Sequence, residues 1–290
     1  MSDWDINNSW PAPAKLNLFL HITGQRADGY HLLQTVFQFL DFGDRLRFYP
    51  RDDDQVRRIS ELPGVPEGAD LVVRAARLLQ QTCQYARGVD IEVDKQLPLG
   101  GGLGGGSSDA ATTLMVLNHL WHCELDFEAL VRLGLQLGAD VPIFLNGQAA
   151  WAEGVGEELT PVDLPESWFV VLCPPITVST AEVFSSPQLR RDCPPITIRD
   201  FLAGGELHNV CEPLVRGRYP EVDAALSDLD MYASARMTGT GACVYAAFDE
   251  ETTARRAYKA LAEKWSGFVA RGMNISPLRQ VLDNWAVAKR

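Results

Sequence analysis

Six of the nine residues from Gly100 to Ser108 are glycine, and a helix-forming run follows at once. The stretch reads Pro98-Leu99-Gly100-Gly101-Gly102-Leu103-Gly104-Gly105-Gly106-Ser107-Ser108-Asp109-Ala110-Ala111. Glycine admits positive φ and lets a ligand approach the main chain. A helix that opens directly from such a loop turns its free N–H groups, and the positive end of its dipole, back toward the loop. That combination is an anion site, and phosphate is the usual occupant. The pattern Gly-x-x-x-x-Gly-Lys-[Ser/Thr] fails because no lysine precedes Ser107. A dinucleotide fingerprint, Gly102-x-Gly104-x-x-Ser107, lacks its last glycine, and the protein-kinase catalytic motifs are absent. Spacing alone therefore gives a phosphate site, most naturally of a nucleotide.

With 290 residues the chain is long for one compact unit, so two lobes are expected. The net charge of −12 argues against nucleic acid or an anionic membrane as partner. It also means that a phosphate must be held by backbone N–H groups and a few placed cations, against the overall field. The six cysteines, Cys83, Cys123, Cys173, Cys193, Cys211 and Cys243, are scattered and show no zinc spacing. With no secretory leader and no apolar run of transmembrane length, a reduced, cytoplasmic setting is the expectation.

Along the chain, Ala14 to His21 alternates as a strand with Lys15 and Asn17 on one face. That face is either solvated or lines a cleft. Gly24 to His31 is a turn-rich loop from which Tyr30 and His31 leave together, as packing anchors or as binding groups. Phe37–Phe42 and Asp44–Tyr49 read as two strands joined by Gly43, and Arg51 to Arg58 as a solvated loop. Asp70 can cap a helix to Gln80. Val89–Val93 is a strand leading to Lys95 and the glycine loop. Ser107 or Ser108 can cap a helix from Asp109 to about Trp121, and Asp126 a second one ended by Gly138. In Gly138-Ala139-Asp140-Val141-Pro142 the aspartate sits at a rigid junction. Its carboxylate either caps the turn or is held for proton abstraction. Gly154-Val155-Gly156 separates this half from the next, and Thr238-Gly239-Thr240-Gly241-Ala242-Cys243 is a second glycine turn entering a strand. Mixed strands and helices without strict alternation predict two α+β lobes rather than a doubly wound sheet.

Three of these segments, Pro13-Ala14-Lys15-Leu16-Asn17-Leu18, Pro98 to Ser108 and Thr238 to Cys243, resemble the three motifs of the GHMP small-molecule kinase superfamily. Gly24 to His31 and Leu137 to Phe144 further resemble members that act on a cytidyl-diphosphate polyol. The resemblance implies a ribosomal-S5-like N-terminal ATP-binding lobe (1–160) and an α+β C-terminal substrate lobe (161–290). The active site would lie between them, and the last segment could pack back on the first lobe. It implies ATP, with magnesium entering as its complex and no protein ligand assigned, and a monomer or weak homodimer.

It further implies that the loop from Pro98 through Gly100, Gly101, Gly102, Leu103, Gly104, Gly105 and Gly106 to Ser107 and Ser108 cradles the ATP phosphates. Asp70, Leu71 and Lys95 would lie near the adenosine. Asp140 would be the base, with Lys15 holding it ionised. Tyr30 and Phe184 would sandwich the cytosine, with His31 and Asn17 supplying hydrogen bonds and Val155 and Thr180 shaping the pocket. Thr238, Gly239, Thr240 and Gly241 would close over substrate and phosphates, while Asp109 would face away from the phosphates. Other members take mevalonate, homoserine or a sugar, none of which has a base to stack. A non-catalytic nucleotide-binding regulator would have no need of Lys15 and Asp140.

Overall fold

The computed structural model describes residues 4, 9–204 and 207–288. In chain order the strands are β1 (Trp10–Gln25), β2 (His31–Pro50), β3 (Val56–Arg58), β4 (Val89–Asp94), β5 (Ala150–Glu153), β6 (Glu158–Pro161), β7 (Trp168–Leu172), β8 (Ala235–Met237), β9 (Val244–Phe248) and β10 (Gly267–Met273). The helices are α1 (Leu71–Cys83), α2 (Gly105–Leu120), α3 (Phe127–Leu137), α4 (Val141–Asn146), α5 (Thr180–Ser185), α6 (Ile198–Leu202), α7 (Glu212–Arg218), α8 (Pro220–Asp230), α9 (Glu251–Leu261) and α10 (Pro277–Ala288). One sheet runs β3-β4-β2-β10-β7-β9-β8, with β1 and the β5–β6 hairpin also pairing onto β2. The first half packs its helices over one apolar core, which contains Phe37, Phe39, Leu46, Val73, Leu114 and Leu117. A second core gathers Val170, Leu172, Val215, Leu226, Val244 and Ala254. Leu278 and Leu282 of α10 belong to the first core, and the Trp10 and Trp285 rings meet edge to face at 5.9 Å.

Several local expectations are corrected. β2 is one strand through Gly43, not two. A Cβ at Gly43 would stand 2.2 Å from the Ala12 carbonyl oxygen, so glycine there lets β1 cross closely, not turn. The charged run after Arg51 contains β3, parallel to β4. Gly154-Val155-Gly156 is the turn of the β5–β6 hairpin rather than a lobe boundary. α2 begins at Gly105 instead of Asp109, because Gly104 takes the left-handed conformation (φ 74°) as its N-cap and no side chain caps it. Cys83, at the end of α1, and Cys123, just after α2, form a disulfide with Cα atoms 5.5 Å apart. Asp70 and Asp126 cap α1 and α3 as expected, accepting from Val72 N and Ala129 N.

Candidate active site

β1 is buried over most of its length, so the polar face of Lys15 and Asn17 is interior, not solvated. The Lys15 ammonium has three acceptors. It donates to Asn17 Oδ1 at 2.6 Å and to the Gly102 carbonyl at 2.9 Å, and lies 3.4 Å from Asp140 Oδ2. It also sits 5.5 Å above the Phe37 ring. The Asn17 amide donates to Thr35 Oγ1, which fixes its orientation and turns its oxygen to the lysine. A buried ammonium needs this many oxygens to offset its lost hydration. The Asp140 side chain keeps 41% of its surface exposed, and it makes no cap to α4 although it stands at the N-cap position. The capping reading of this carboxylate is therefore not what the fold uses.

The glycine loop is compressed on every side. Gly102 (φ +75°) has the Thr238 carbonyl where a Cβ would go, at 2.3 Å, and Gly104 the Phe144 ring at 2.7 Å. Cys243 N donates to the Gly101 carbonyl and Lys15 N to that of Leu103, so the second glycine turn and β1 clamp the loop. Pro98 packs against Gly101, and Gly100 against Thr177. With no side-chain cap on α2, its first-turn N–H groups are left to an incoming anion.

Behind this turn lies a buried charged group. Lys95 donates to Asp44 at 2.5 Å and to Asp109 at 2.8 Å, while Asp44 also accepts from Gln96 N and Leu97 N. Burial first, and then the Asp44 charge, push the Asp109 carboxyl up, against the pull of Lys95. Burial works against the Lys95 ammonium, but Asp109 and Asp44 outweigh it and hold its pKa above the usual value.

A cleft of about 690 Å³ gathers residues from both halves of the chain. Lys15, Asn17, Gly102, Ser107 and Asp140 line one part. Tyr30, His31, Val155, Thr180, Phe184, Gly239 and Thr240 line the rest. β1, β2 and the β5–β6 turn supply much of this lining. Thr180 and Thr240 share a hydrogen bond at 2.9 Å, joining α5 to the second glycine turn. Thr238 is fully buried, its hydroxyl accepting from Asn17 N, and Gly241 packs on Met237. The His31 ring stacks on that of Phe184, at 5.2 Å and 29°, and Tyr30 is largely exposed at the same end.

Asp70, expected near the adenosine, is buried, and beyond capping α1 its carboxylate pairs with Arg58. Leu71 stands beside Gly106 at the start of α2. Ser108 is fully buried and its hydroxyl has no hydrogen-bond partner, whereas Ser107 reaches the cleft. Lys95 serves its two carboxylates beneath Gly105.

Two residues escaped sequence reading. Asn209 donates to the Met237 and Gly239 carbonyls and pins the second glycine turn, and Arg191 reaches His31. Neither lies in a local pattern that marks it. Gln25, Gly29, Thr35 and Phe37 also line the cleft.

Residues 70–148 match the family described as GHMP kinases N terminal domain, and residues 198–267 match GHMP kinases C terminal. The chain belongs to the GHMP kinase family and has its two-domain, mixed α and β fold. It is 57% identical over 274 residues to a 4-diphosphocytidyl-2-C-methyl-D-erythritol kinase of Nitrosococcus oceani, covering 94% of this chain and 98% of the relative. It is 56% identical over 278 residues to the kinase of the same name from Pseudomonas paraeruginosa, covering 96% and 98%. A crystal structure of 4-(cytidine 5'-diphospho)-2C-methyl-D-erythritol kinase superposes with TM-score 0.79 at 33% identity, covering 91% of this chain and 99% of that one.

Proposed function

We propose that this kinase transfers the γ-phosphoryl group of ATP to the 2-hydroxyl of 4-diphosphocytidyl-2-C-methyl-D-erythritol, a step in non-mevalonate isoprenoid precursor synthesis. The observation that carries the reading is one cleft with the Lys15–Asp140 pair in one part and the aromatic group of Tyr30, His31 and Phe184 in another. A mevalonate, homoserine or sugar acceptor gives that aromatic end nothing to hold.

Phosphoryl transfer asks the protein for in-line positioning and neutralised charge. The uncapped start of α2 and the loop from Gly100 to Ser107 would hold the ATP phosphates. The acceptor is a tertiary alcohol, crowded and weakly acidic, so a carboxylate fixed within about 3 Å of its proton is a suitable base. Asp140 has the exposure for this. Lys15, saturated with acceptors, holds the carboxylate in place and supplies a cation beside the developing alkoxide. Magnesium supplies charge neutralisation as part of its ATP complex. Among the described residues no group of three His, Cys, Asp or Glu side chains could cage an ion.

We read residues 1–160 as the ATP-binding part and 161–290 as the part completing the substrate pocket. The protein would act in the cytoplasm on small molecules, as a monomer or weak homodimer. Among the described residues no helix is long and apolar enough to cross a membrane.

The deciding measurement is ATP consumption with the cytidyl alcohol, set against mevalonate, homoserine and galactose. Turnover should occur with the cytidyl compound alone. Turnover with one of the others would overturn the reading.

A further inference from the structure

Arg191 ties the ring of His31 to the backbone of Phe184 at one end of the cleft. Its Nε donates to His31 Nε2 at 2.8 Å. One terminal nitrogen donates to the carbonyls of Phe184 (2.7 Å) and Ser186 (2.9 Å), the other to that of Leu189 (2.9 Å). A single rigid fork thus joins the start of β2 to the end of α5 and sets the ring of His31 against that of Phe184.

The contact with His31 has a chemical consequence. A guanidinium only donates, and it stays protonated at any working pH. His31 Nε2 must therefore present its lone pair. With Nε2 accepting, the proton of the neutral ring sits on Nδ1, and burial, then the Arg191 charge, lower the His31 pKa in the same direction. Among the described residues none accepts that Nδ1–H, and His31 lines the cleft.

We propose that Arg191 is a specificity-determining positioning residue: by locking His31 in the Nδ1–H tautomer it makes the cleft select a cytosine ring over a uracil ring. This rests on the cytidyl reading above. Ring atom N3 is an acceptor in cytosine and carries a hydrogen in uracil. A fixed Nδ1–H satisfies the first and opposes the second. An imidazole free to exchange tautomers would accept either, because it could turn a lone pair to the N3–H of uracil. Arg191 touches no substrate in this scheme and acts only through His31 and the Phe184 backbone.

Two measurements test this. The first is the nitrogen-15 spectrum of histidine-labelled wild-type protein without substrate, with the His31 signals assigned by their loss in His31→Gln. The expected pattern is a protonated Nδ1 and a bare Nε2 at His31. A protonated Nε2 overturns the proposal. This readout needs no turnover, so it stands apart from the substrate reading.

The second compares kcat/KM for the cytidyl alcohol and its uridyl counterpart in wild type and Arg191→Ala. Wild type should favour the cytidyl compound by at least about 10², and the variant should lose roughly tenfold or more of that ratio with the KM for ATP unchanged. If both compounds weaken equally in the variant, or both KM values rise together with that for ATP, Arg191 merely holds the fold and the proposal fails. If wild type turns over neither compound, the substrate reading fails, while the tautomer result still decides the role of Arg191.

Discussion

Lys15 and Asp140 form an asymmetric pair: their charged atoms are 3.4 Å apart, yet the lysine side chain is 3% exposed and the aspartate 41%. The cation is part of the interior, and the anion faces the cleft. Asp140→Asn keeps the size of the side chain and removes its basicity. It should lower kcat for the cytidyl alcohol by about 10²–10⁴ while leaving the KM for ATP within a few-fold. Lys15→Met should lower kcat as well, and the double variant should fall short of the product of the two effects, because the residues act as a unit. Steady-state kinetics on the three variants decides it, and near-normal turnover in Asp140→Asn would remove the base from the scheme.

At the other part of the cleft, Tyr30→Ala and Phe184→Ala should each raise the KM for the cytidyl alcohol. Stacking of a base on an aromatic ring is worth about 1–3 kcal/mol, which is roughly a 5- to 150-fold change. The KM for ATP should not move. Phe184→Ala should have a further effect on His31, whose ring now rests on it.

Gly102→Ala confronts two obstacles at once, a positive φ and the Thr238 carbonyl 2.3 Å from the new Cβ. The first alone costs about 1–2 kcal/mol, and the second forces the two glycine turns apart. Calorimetry should show a lowered Tm, and the KM for ATP should rise. Gly106→Ala is the contrast: the nearest atom to its Cβ would be Leu71 Cδ1 at 3.5 Å, and the residue is helical. Its Tm should hold or increase, since alanine in a helix gains up to about 1 kcal/mol over glycine.

His21 is buried beside Phe19 and His208, and neither ring nitrogen has a hydrogen-bond partner. Burial, then the neighbouring His208 and Arg190, lower its pKa to about 4. An unfolded chain protonates histidine near 6.5. Between these values the unfolded state binds the extra proton, so stability falls as pH drops from about 6.5 to 4, and no further loss from this group follows below that. His21→Phe should flatten that part of the stability profile. Denaturant titrations at pH 7, 5.5 and 4.5 should show the gap between variant and wild type growing toward acid, to roughly 2–3 kcal/mol.

The chemistry was more legible in the sequence than the backbone that carries it. Lys15, Asn17, Tyr30, His31, Asp140, Val155, Thr180 and Phe184 meet in one cleft, because motifs hold residues whose side chains must converge. What the sequence did not reveal depends on contacts between distant segments. Gly43 reads as a turn, and only the close crossing of β1 shows that it permits one long strand instead. The ion pairs of Asp70 with Arg58, and of Lys95 with Asp44 and Asp109, join segments that no local pattern connects. The serines look like caps for α2, but the left-handed Gly104 starts the helix four residues before Asp109. Arg191 and Asn209 sit in segments with no periodicity to mark them, and their roles follow from hydrogen bonds to distant backbone and side chains.

The length of β2 has a consequence for what the cleft can accept. That single strand carries His31 at its start, Phe37 under the Lys15 ammonium, and Asp44 as the anchor of Lys95 behind the glycine loop. It also pairs with β10, through which the rest of the sheet is joined. On the proposed reading, the nucleobase and phosphate ends would be spaced along this one strand. A substrate whose hydroxyl lies one bond too near or too far from its base would then misalign with the Lys15–Asp140 pair. One residue inserted into β2 would turn every later side chain to the opposite face. On that reading the strand would select for molecular reach as well as for the chemistry at its two ends.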